Sequence, residues 1–177
     1  MAESKKLVIF CSASNDIDPK YGEAARELTR SACSLGYTVV SGGTVKGTMG
    51  VVADEVVACG GRHVGVIPGF MKEYLHPGLS EVAWTDTMAQ RKEKMREGAS
   101  VAVALPGGIG TLDELVETLT LAKLNRFPGK ILALDLDGFY APLIALLDHY
   151  VALGMLDPAS RGLIEFPPTV GELVAKL

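Results

Sequence analysis

Cysteine and histidine are scarce in this sequence, and neither is spaced as metal ligands are. The three cysteines, Cys11, Cys33 and Cys59, are scattered among 177 residues that also hold three histidines. Because the spacing of a metal site is missing, we expect no bound metal. Reduced, buried thiols fit this pattern best, which favours a cytoplasmic location. A disulfide is the less favoured alternative.

Long apolar runs and an excess of positive charge are also missing. The polar segment Met1–Lys6 is followed by a short apolar run, so the sequence predicts neither a signal peptide nor a membrane span. A net charge of −4 at pH 7 argues against a general nucleic-acid binder. A local site can still bind a small anion. No repeat, low-complexity segment or linker appears, and we expect one domain over residues 1–177.

Apolar, strand-like runs alternate with helical patterns along the chain. The predicted strands are Lys5–Cys11, Tyr37–Ser41, Arg62–Pro68, Leu79–Trp84, Ala99–Leu105 and Lys130–Leu134. Segments with helical spacing follow most of them. This alternation favours an α/β fold, a single-domain Rossmann-like doubly wound parallel sheet flanked by helices.

The most informative stretch is Leu105–Glu114, with the sequence LPGGIGTLDE. It joins a predicted strand to a helix whose apolar stripe is Leu112, Leu115, Val116 and Leu119. Glycines let the backbone approach a ligand closely, and a helix N-terminus attracts anions. A phosphate is the expected ligand, although a glycine-rich turn that binds nothing has the same local pattern.

Glu114 has two interpretations. With Thr111 as the N-cap, Thr111-x-x-Glu114 fits a capping box, which needs no chemistry. Alternatively, Glu114 lies off the apolar stripe and one turn from the phosphate loop, close to a bound sugar.

A second charged segment shares one helix face. Met88, Arg91, Lys92 and Met95 fall at helical spacing on a helix that Thr85 or Asp86 would cap. If the methionines face inward, the two cations need partners, since buried charges are costly. A phosphate, a carboxylate or a base edge would serve. The alternative is that the methionines are partly exposed and the arginine is solvated.

Two other strand ends carry loops that fit a ligand site. The first predicted strand ends in Ser12–Asn15, at the edge of an open sheet where ligands bind. A plain polar loop fits this segment equally well. Gly42–Gly50 is a second glycine-rich loop between a strand and a helix.

These segments resemble the LOG ("Lonely Guy") family of cytokinin riboside 5′-monophosphate phosphoribohydrolases, which are often mislabelled as lysine decarboxylases. Pro106–Glu114 matches the family signature PGGxGTxxE, and Met88–Met95 matches its MxxRKxxM segment. Gly42–Gly50 resembles the family loop GGGxxGxMG, but Thr44 replaces the third glycine and Lys46 replaces a residue that is usually apolar. The resemblance runs from about residue 8 to about residue 156.

The resemblance implies a reaction and a set of residues. The expected reaction hydrolyses the N-glycosidic bond of cytokinin riboside 5′-monophosphates, with AMP as a lesser substrate, to free base and ribose 5-phosphate. Glu114 and Arg91 are the expected catalytic residues, and no cofactor is expected. The expected substrate-binding residues are Ser12, Ser14, Gly43, Met88, Lys92, Pro106, Gly107, Gly108, Gly110 and Thr111. A homodimer is expected, with no nucleic-acid or membrane partner.

Other functions compete with hydrolysis. A protein that binds a nucleotide or phosphorylated cofactor without chemistry would need the same loops and a cation. A pyridoxal-phosphate decarboxylase is disfavoured because no lysine lies in a recognisable cofactor motif. A dinucleotide oxidoreductase is disfavoured because GxGxxG is missing after the first strand. Hydrolysis is favoured because Glu114 adds a carboxylate where an oxocarbenium-like ribose would develop positive charge.

Overall fold

Seven parallel strands form the sheet that positions the candidate site. The computed structural model describes residues 5–177, so residues 1–4 of the predicted polar N-terminal segment lie outside the described residues. The strands are β1 (Lys6–Phe10), β2 (Thr38–Ser41), β3 (His63–Pro68), β4 (Glu81–Thr85), β5 (Ala99–Ala104), β6 (Lys130–Ala133) and β7 (Ile164–Glu165). Their order across the sheet is β4-β3-β2-β1-β5-β6-β7, and every neighbouring pair is parallel.

The direction of strand addition reverses between β1 and β5. From β1 the chain builds β2, β3 and β4 outward on one side, then adds β5, β6 and β7 on the other. This is the Rossmann-like doubly wound topology that the sequence predicts. In such sheets, ligands bind outside the carboxyl ends of the strands at the point of reversal. That point lies here between the segments that follow β1 and β5.

Helices cover both faces of this sheet. They are α1 (Pro19–Ser34), α2 (Gly47–Ala58), α3 (Met88–Arg96), α4 (Ile109–Lys123), α5 (Ala141–Ala152), α6 (Pro158–Arg161) and α7 (Val170–Val174). Short 3-10 helices span Gly69–Tyr74 and Leu136–Gly138. Within residues 5–177, no helix combines the length and apolar character needed to cross a membrane.

The central strands are continuous apolar runs because they are buried on both sides. On β1, Leu7 and Ile9 pack in the core shared with α1, α2 and α7. Val8 and Phe10 pack in the opposite core, to which α3, α4 and α5 contribute. The sheet is therefore a rigid platform for the loops at its carboxyl edge.

Helix α4 buries half of the predicted stripe. Leu115 and Leu119 are buried as expected, but Leu112 is 36% exposed and Val116 is 42% exposed. Thr111 and Thr118 are buried instead. Burial of Thr118 is tolerated because its hydroxyl donates to the Glu114 carbonyl at 2.6 Å. This rotation of the helix turns the Glu114 side chain towards the body of the protein and leaves apolar side chains outside.

Two smaller predictions are also wrong. Thr87, and not Thr85 or Asp86, caps α3, because it forms a capping box with Gln90. The Thr87 hydroxyl accepts from the Gln90 amide at 3.2 Å, and the Gln90 side chain accepts from the Thr87 amide at 3.3 Å. The three cysteines are free, as expected, but Cys59 is exposed rather than buried.

Candidate active site

A cavity of about 340 Å³ opens at the carboxyl edge of the sheet, at the point of strand reversal. The segments after β1 and β5 form its floor, and α3 covers it. Expected site residues in its wall are Ser12, Ser14, Met88, Arg91, Lys92, Gly108, Gly110, Thr111 and Glu114. Gly43, Pro106 and Gly107 do not line it. The structure thus brings residues from three distant segments of the chain to one cavity.

The α4 N-terminus is open towards this cavity. Helix α4 begins at Ile109, its N-cap is Gly108, and no side chain caps it. A Cβ at Gly108 or at Gly110 would meet nothing within 4 Å, so packing does not require glycine there. Amides at the start of a helix that no side chain caps suit an anion such as phosphate.

The capping-box interpretation of Thr111 and Glu114 is wrong. Because the N-cap of α4 is Gly108, three residues earlier than predicted, Thr111 is already inside the helix and its side chain is buried. A Cβ on Gly107 would collide with the Thr111 hydroxyl, so Gly107 makes room for that side chain. Glu114 is therefore not needed as a cap and points towards the cavity.

Arg91 is held rigidly by two backbone carbonyls. Its side chain comes from α3 and is only 5% exposed. Its Nε donates to the Val66 carbonyl at 2.9 Å, and its Nη2 donates to the Gly42 carbonyl at 2.9 Å. Burial lowers the pKa of Arg91, and the neighbouring Glu114 opposes that effect. Its remaining N–H donors are available to Glu114 or to a ligand.

Glu114 is the carboxyl group of the cavity whose pKa is shifted most. Burial raises the pKa of Glu114 to about 7, with Arg91 as the strongest opposing influence. Within residues 5–177, its carboxylate makes no hydrogen bond or ion pair, and the Thr118 hydroxyl donates to its backbone carbonyl instead. A carboxyl group that titrates near neutral pH and keeps free oxygens is suited to general acid–base chemistry.

Lys92 lines the cavity but is already paired. Its Nζ lies 2.8 Å from Asp113 Oδ2 and 3.1 Å from Glu117 Oε2. Arg96 also reaches Glu117, with 2.9 Å between Nη1 and Oε2. These four residues connect α3 to α4, so the contacts favour a positioning role for Lys92. Its contact with substrate stays a prediction.

The serine turn after β1 rests on the start of α2. The Ser12 hydroxyl accepts from the Ser14 amide at 3.0 Å, and the Ser12 carbonyl accepts from the Thr48 hydroxyl at 3.1 Å. The Asn15 side chain accepts from the Gly47 amide at 2.8 Å. These bonds couple the first two loops, which places Ser12 and Ser14 in the cavity wall.

The two departures from the family loop have local structural roles. Thr44 is buried, and its hydroxyl lies 3.7 Å from the sulfur of Met49. The Lys46 ammonium lies 3.4 Å from the centroid of the Tyr74 ring, a cation–π contact outside the cavity wall. His76 bonds to Asp54 at 3.0 Å and does not line the cavity.

Several wall residues were missed by the sequence analysis. They are Cys11, Gly42, Met49 and Met95. Met49 and Met95 lie inside segments that resemble family motifs, which was a usable signal. Burial raises the pKa of the Cys11 thiol to about 12, so Cys11 contributes a neutral, apolar surface.

Comparison with known proteins supports the resemblance. The family described as possible lysine decarboxylase matches residues 49–177. LOGL3 of Oryza sativa subsp. japonica, a probable cytokinin riboside 5′-monophosphate phosphoribohydrolase, is 37% identical over 176 residues, covering 98% of this chain and 83% of the relative. LOG7 of Arabidopsis thaliana, a cytokinin riboside 5′-monophosphate phosphoribohydrolase, is 38% identical over 176 residues, covering 98% and 81%.

Solved structures share the fold. The molybdenum cofactor carrier protein of Chlamydomonas reinhardtii matches with a TM-score of 0.76 and 20% identity, over 98% of this chain and 96% of that protein. At that identity the likeness concerns the fold alone. The sequence relatives carry more weight, because identity above a third extends along nearly the whole chain. Together with the family match over residues 49–177, it shows that this chain belongs to the LOG family.

Proposed function

We propose that this protein hydrolyses the N-glycosidic bond of nucleoside 5′-monophosphates, with cytokinin riboside 5′-monophosphates as its best substrates and AMP as a lesser one. One observation carries the proposal. Glu114, with a pKa raised to about 7, shares a cavity with the buried Arg91 and the open N-terminus of α4. A simple phosphate binder would need the helix terminus and a cation, but no such carboxylate.

In the proposed reaction, the α4 N-terminus binds the substrate and Glu114 acts on the ribose. The substrate phosphate binds the amides at the start of α4, which places the ribose near Glu114, one turn along the helix. The bond between C1′ and the base nitrogen breaks, and its electron pair leaves with the base. Ionised Glu114 stabilises the resulting positive charge on the ribose and accepts a proton from the attacking water. Glu114 then releases this proton and the base nitrogen takes one up, so water supplies both the hydroxyl group on C1′ and the hydrogen on the base, and the products are free base and ribose 5-phosphate.

We also propose that the protein is a homodimer. The stripe that α4 leaves outside contains Ile109, Leu112 and Val116, and Ile109 is 83% exposed. Leu146 of the neighbouring α5 is also exposed and lies beside Ile109 and Leu112 on the same surface. Contiguous exposed apolar surface of this kind marks interaction sites. Because Ile109 also lines the cavity, a partner on this face would lie next to the substrate.

Incubation of the purified protein with a panel of nucleotides tests the reaction. The panel is isopentenyladenosine 5′-monophosphate, AMP, GMP and CMP, with isopentenyladenosine and adenosine as controls that lack the phosphate. We expect released base from isopentenyladenosine 5′-monophosphate, less from AMP, and almost none from the nucleosides. The released bases are separated and quantified by chromatography.

Two outcomes would contradict the proposal. Equal turnover of adenosine and AMP would rule out the phosphate site at α4. Tight binding of AMP without base release from any nucleotide would instead indicate a binding protein without chemistry.

A further inference from the structure

Gly42 follows β2 directly and lies against the guanidinium group of Arg91. Its carbonyl accepts from Nη2 of Arg91 at 2.9 Å. The second anchor of the same side chain is the carbonyl of Val66, on the neighbouring strand β3, at 2.9 Å from Nε. The arginine is thus fastened across the carboxyl ends of two adjacent strands.

A side chain at position 42 would collide with this arginine. A Cβ built on Gly42 would run into Nη2 of Arg91 and would lie 3.2 Å from its Cζ. The sulfur of Met49 would be 2.7 Å away, but a methionine side chain is flexible and can move aside. The guanidinium is fixed by two hydrogen bonds, which it would have to break in order to move aside.

The backbone gives no other reason for glycine at this position. The φ angle of Gly42 is not positive, whereas that of the adjacent Gly43 is +68°. An alanine at position 42 would therefore fit the backbone conformation. Packing against Arg91, and not conformational freedom, requires glycine here.

We propose that Gly42 is a positioning residue. Because it has no side chain, the guanidinium group of Arg91 can lie against its Cα and opposite Glu114. The inference rests on the proposed function for the roles of Arg91 and Glu114. It adds a requirement that neither residue reveals alone, namely that the end of β2 stays free of side-chain atoms.

The pKa of Glu114 depends on where the guanidinium group of Arg91 lies. The charged groups around this carboxyl are Arg91, Lys92 and Arg96 from α3 and Asp113 from its own helix. Arg91 is the strongest of them in opposing the effect of burial on the pKa of Glu114. Lys92 and Arg96 are bound to Asp113 and Glu117, so they cannot replace a displaced Arg91.

The test is an NMR titration of Gly42→Ala labelled with carbon-13 at the glutamate side-chain carboxyl, without substrate. The resonance of Glu114 is assigned by its loss in Glu114→Gln. We expect the pKa of Glu114 to rise by at least about one pH unit, because a nearby opposite charge lowers the pKa of a carboxyl by about that much or more. Arg91→Ala should cause a similar rise. In Gly42→Ala combined with Arg91→Ala, the alanine at position 42 should add nothing.

Gly61→Ala is the matched control. A Cβ on Gly61 would also be crowded, at 2.8 Å from the Cys33 sulfur, but it lies beyond the C-terminal end of α2 and outside the cavity wall. It should leave the pKa of Glu114 unchanged. An unchanged Glu114 titration in folded Gly42→Ala would overturn the proposal.

If Gly42→Ala fails to fold, the proposal is tested by the melting temperatures of variants with and without Arg91→Ala. The proposal expects the variant to fold again in the Arg91→Ala background, where nothing remains to be displaced. Equal damage in both backgrounds would assign the need for glycine to Met49 and would overturn the proposal. Because the titration uses no substrate, an absence of base release in the parent protein would refute the proposed reaction without changing this result.

Discussion

At the scale of single residues, the site depends on how far one carboxyl group is removed from water. Burial raises the pKa of Glu114 to about 7, and Arg91 prevents a larger rise. Both the charged and the neutral form are therefore accessible near neutral pH. A general base performs best when its pKa lies close to the working pH. A glutamate that only capped the helix would instead be expected at the exposed surface.

Glu114→Gln should separate catalysis from binding. The glutamine keeps the shape but removes the charge, so we expect turnover to fall by roughly two to four powers of ten. AMP affinity should change far less, because the α4 N-terminus is untouched. In the parent protein, turnover should rise with pH through about 7, as Glu114 ionises. Base release and calorimetric AMP binding between acidic and alkaline pH measure both effects.

The same variant makes a prediction about stability. The pKa of Glu114 in the folded state, about 7, lies above its ordinary value of 4.5. The raised pKa therefore stabilises the folded state fully below about pH 4.5, and this stabilisation is lost as the pH rises through about 7. Above that range, Glu114→Gln should be more stable than the parent by at most about 3 kcal/mol. Glu27→Gln, a change at an exposed glutamate, serves as control. Unchanged turnover and unchanged stability in Glu114→Gln would exclude a role for the Glu114 charge.

At the scale of elements, a small ion-pair network fastens α3 to α4. Lys92 and Arg96 of α3 meet Asp113 and Glu117 of α4. Burial alone would raise the pKa of Glu117, but its bonds with Arg96 and Lys92 hold it below its usual value. The network matters because α3 carries Arg91 and α4 carries Glu114.

Glu117→Ala should therefore loosen the two helices. It leaves the buried Arg96 without its carboxylate, and we expect a loss of roughly 1 to 3 kcal/mol in the free energy of unfolding. Turnover should also fall, because Arg91 loses its fixed distance from Glu114. Glu93→Ala, an exposed change on α3, is the control. Thermal melts that coincide for the two variants would show that the network is not structurally important.

At the scale of the whole molecule, the outer face of α4 is the feature that the isolated chain does not explain. Ile109, Leu112 and Val116 are exposed there beside apolar residues of α5. The proposed dimer would cover this face and close the substrate cavity from one side.

Val116→Asp tests the dimer without touching the cavity wall. Light scattering at micromolar concentration should give the mass of a dimer for the parent and of a monomer for this variant. Losing one buried apolar side chain costs roughly 1.5 to 3 kcal/mol, or about a tenfold to hundredfold weaker association. Leu35→Asp, an exposed change near the end of α1, should remain dimeric. A monomeric parent would contradict the proposal directly.

The sequence by itself determined where six of the seven strands and the helices between them lie along the chain, and the chemistry of the loops. Continuous apolar runs predicted buried parallel strands, and the glycine-rich segment Leu105–Glu114 predicted a strand end followed by a helix start. Both predictions are confirmed by β5 and α4. These features can be predicted locally. Burial on two faces requires a short run of apolar residues, and close backbone approach requires glycines within a few neighbouring positions.

The tertiary structure alone decided which side chains meet. The spacing of α4 predicted a buried stripe with Leu112 and Val116, but in the folded chain Thr111 and Thr118 are buried in their place. The partners of Arg91 are backbone carbonyls on β3 and after β2, which no side-chain pattern could indicate. Such contacts depend on strand order and helix rotation, and these are set by the packing of the whole chain rather than by neighbouring residues.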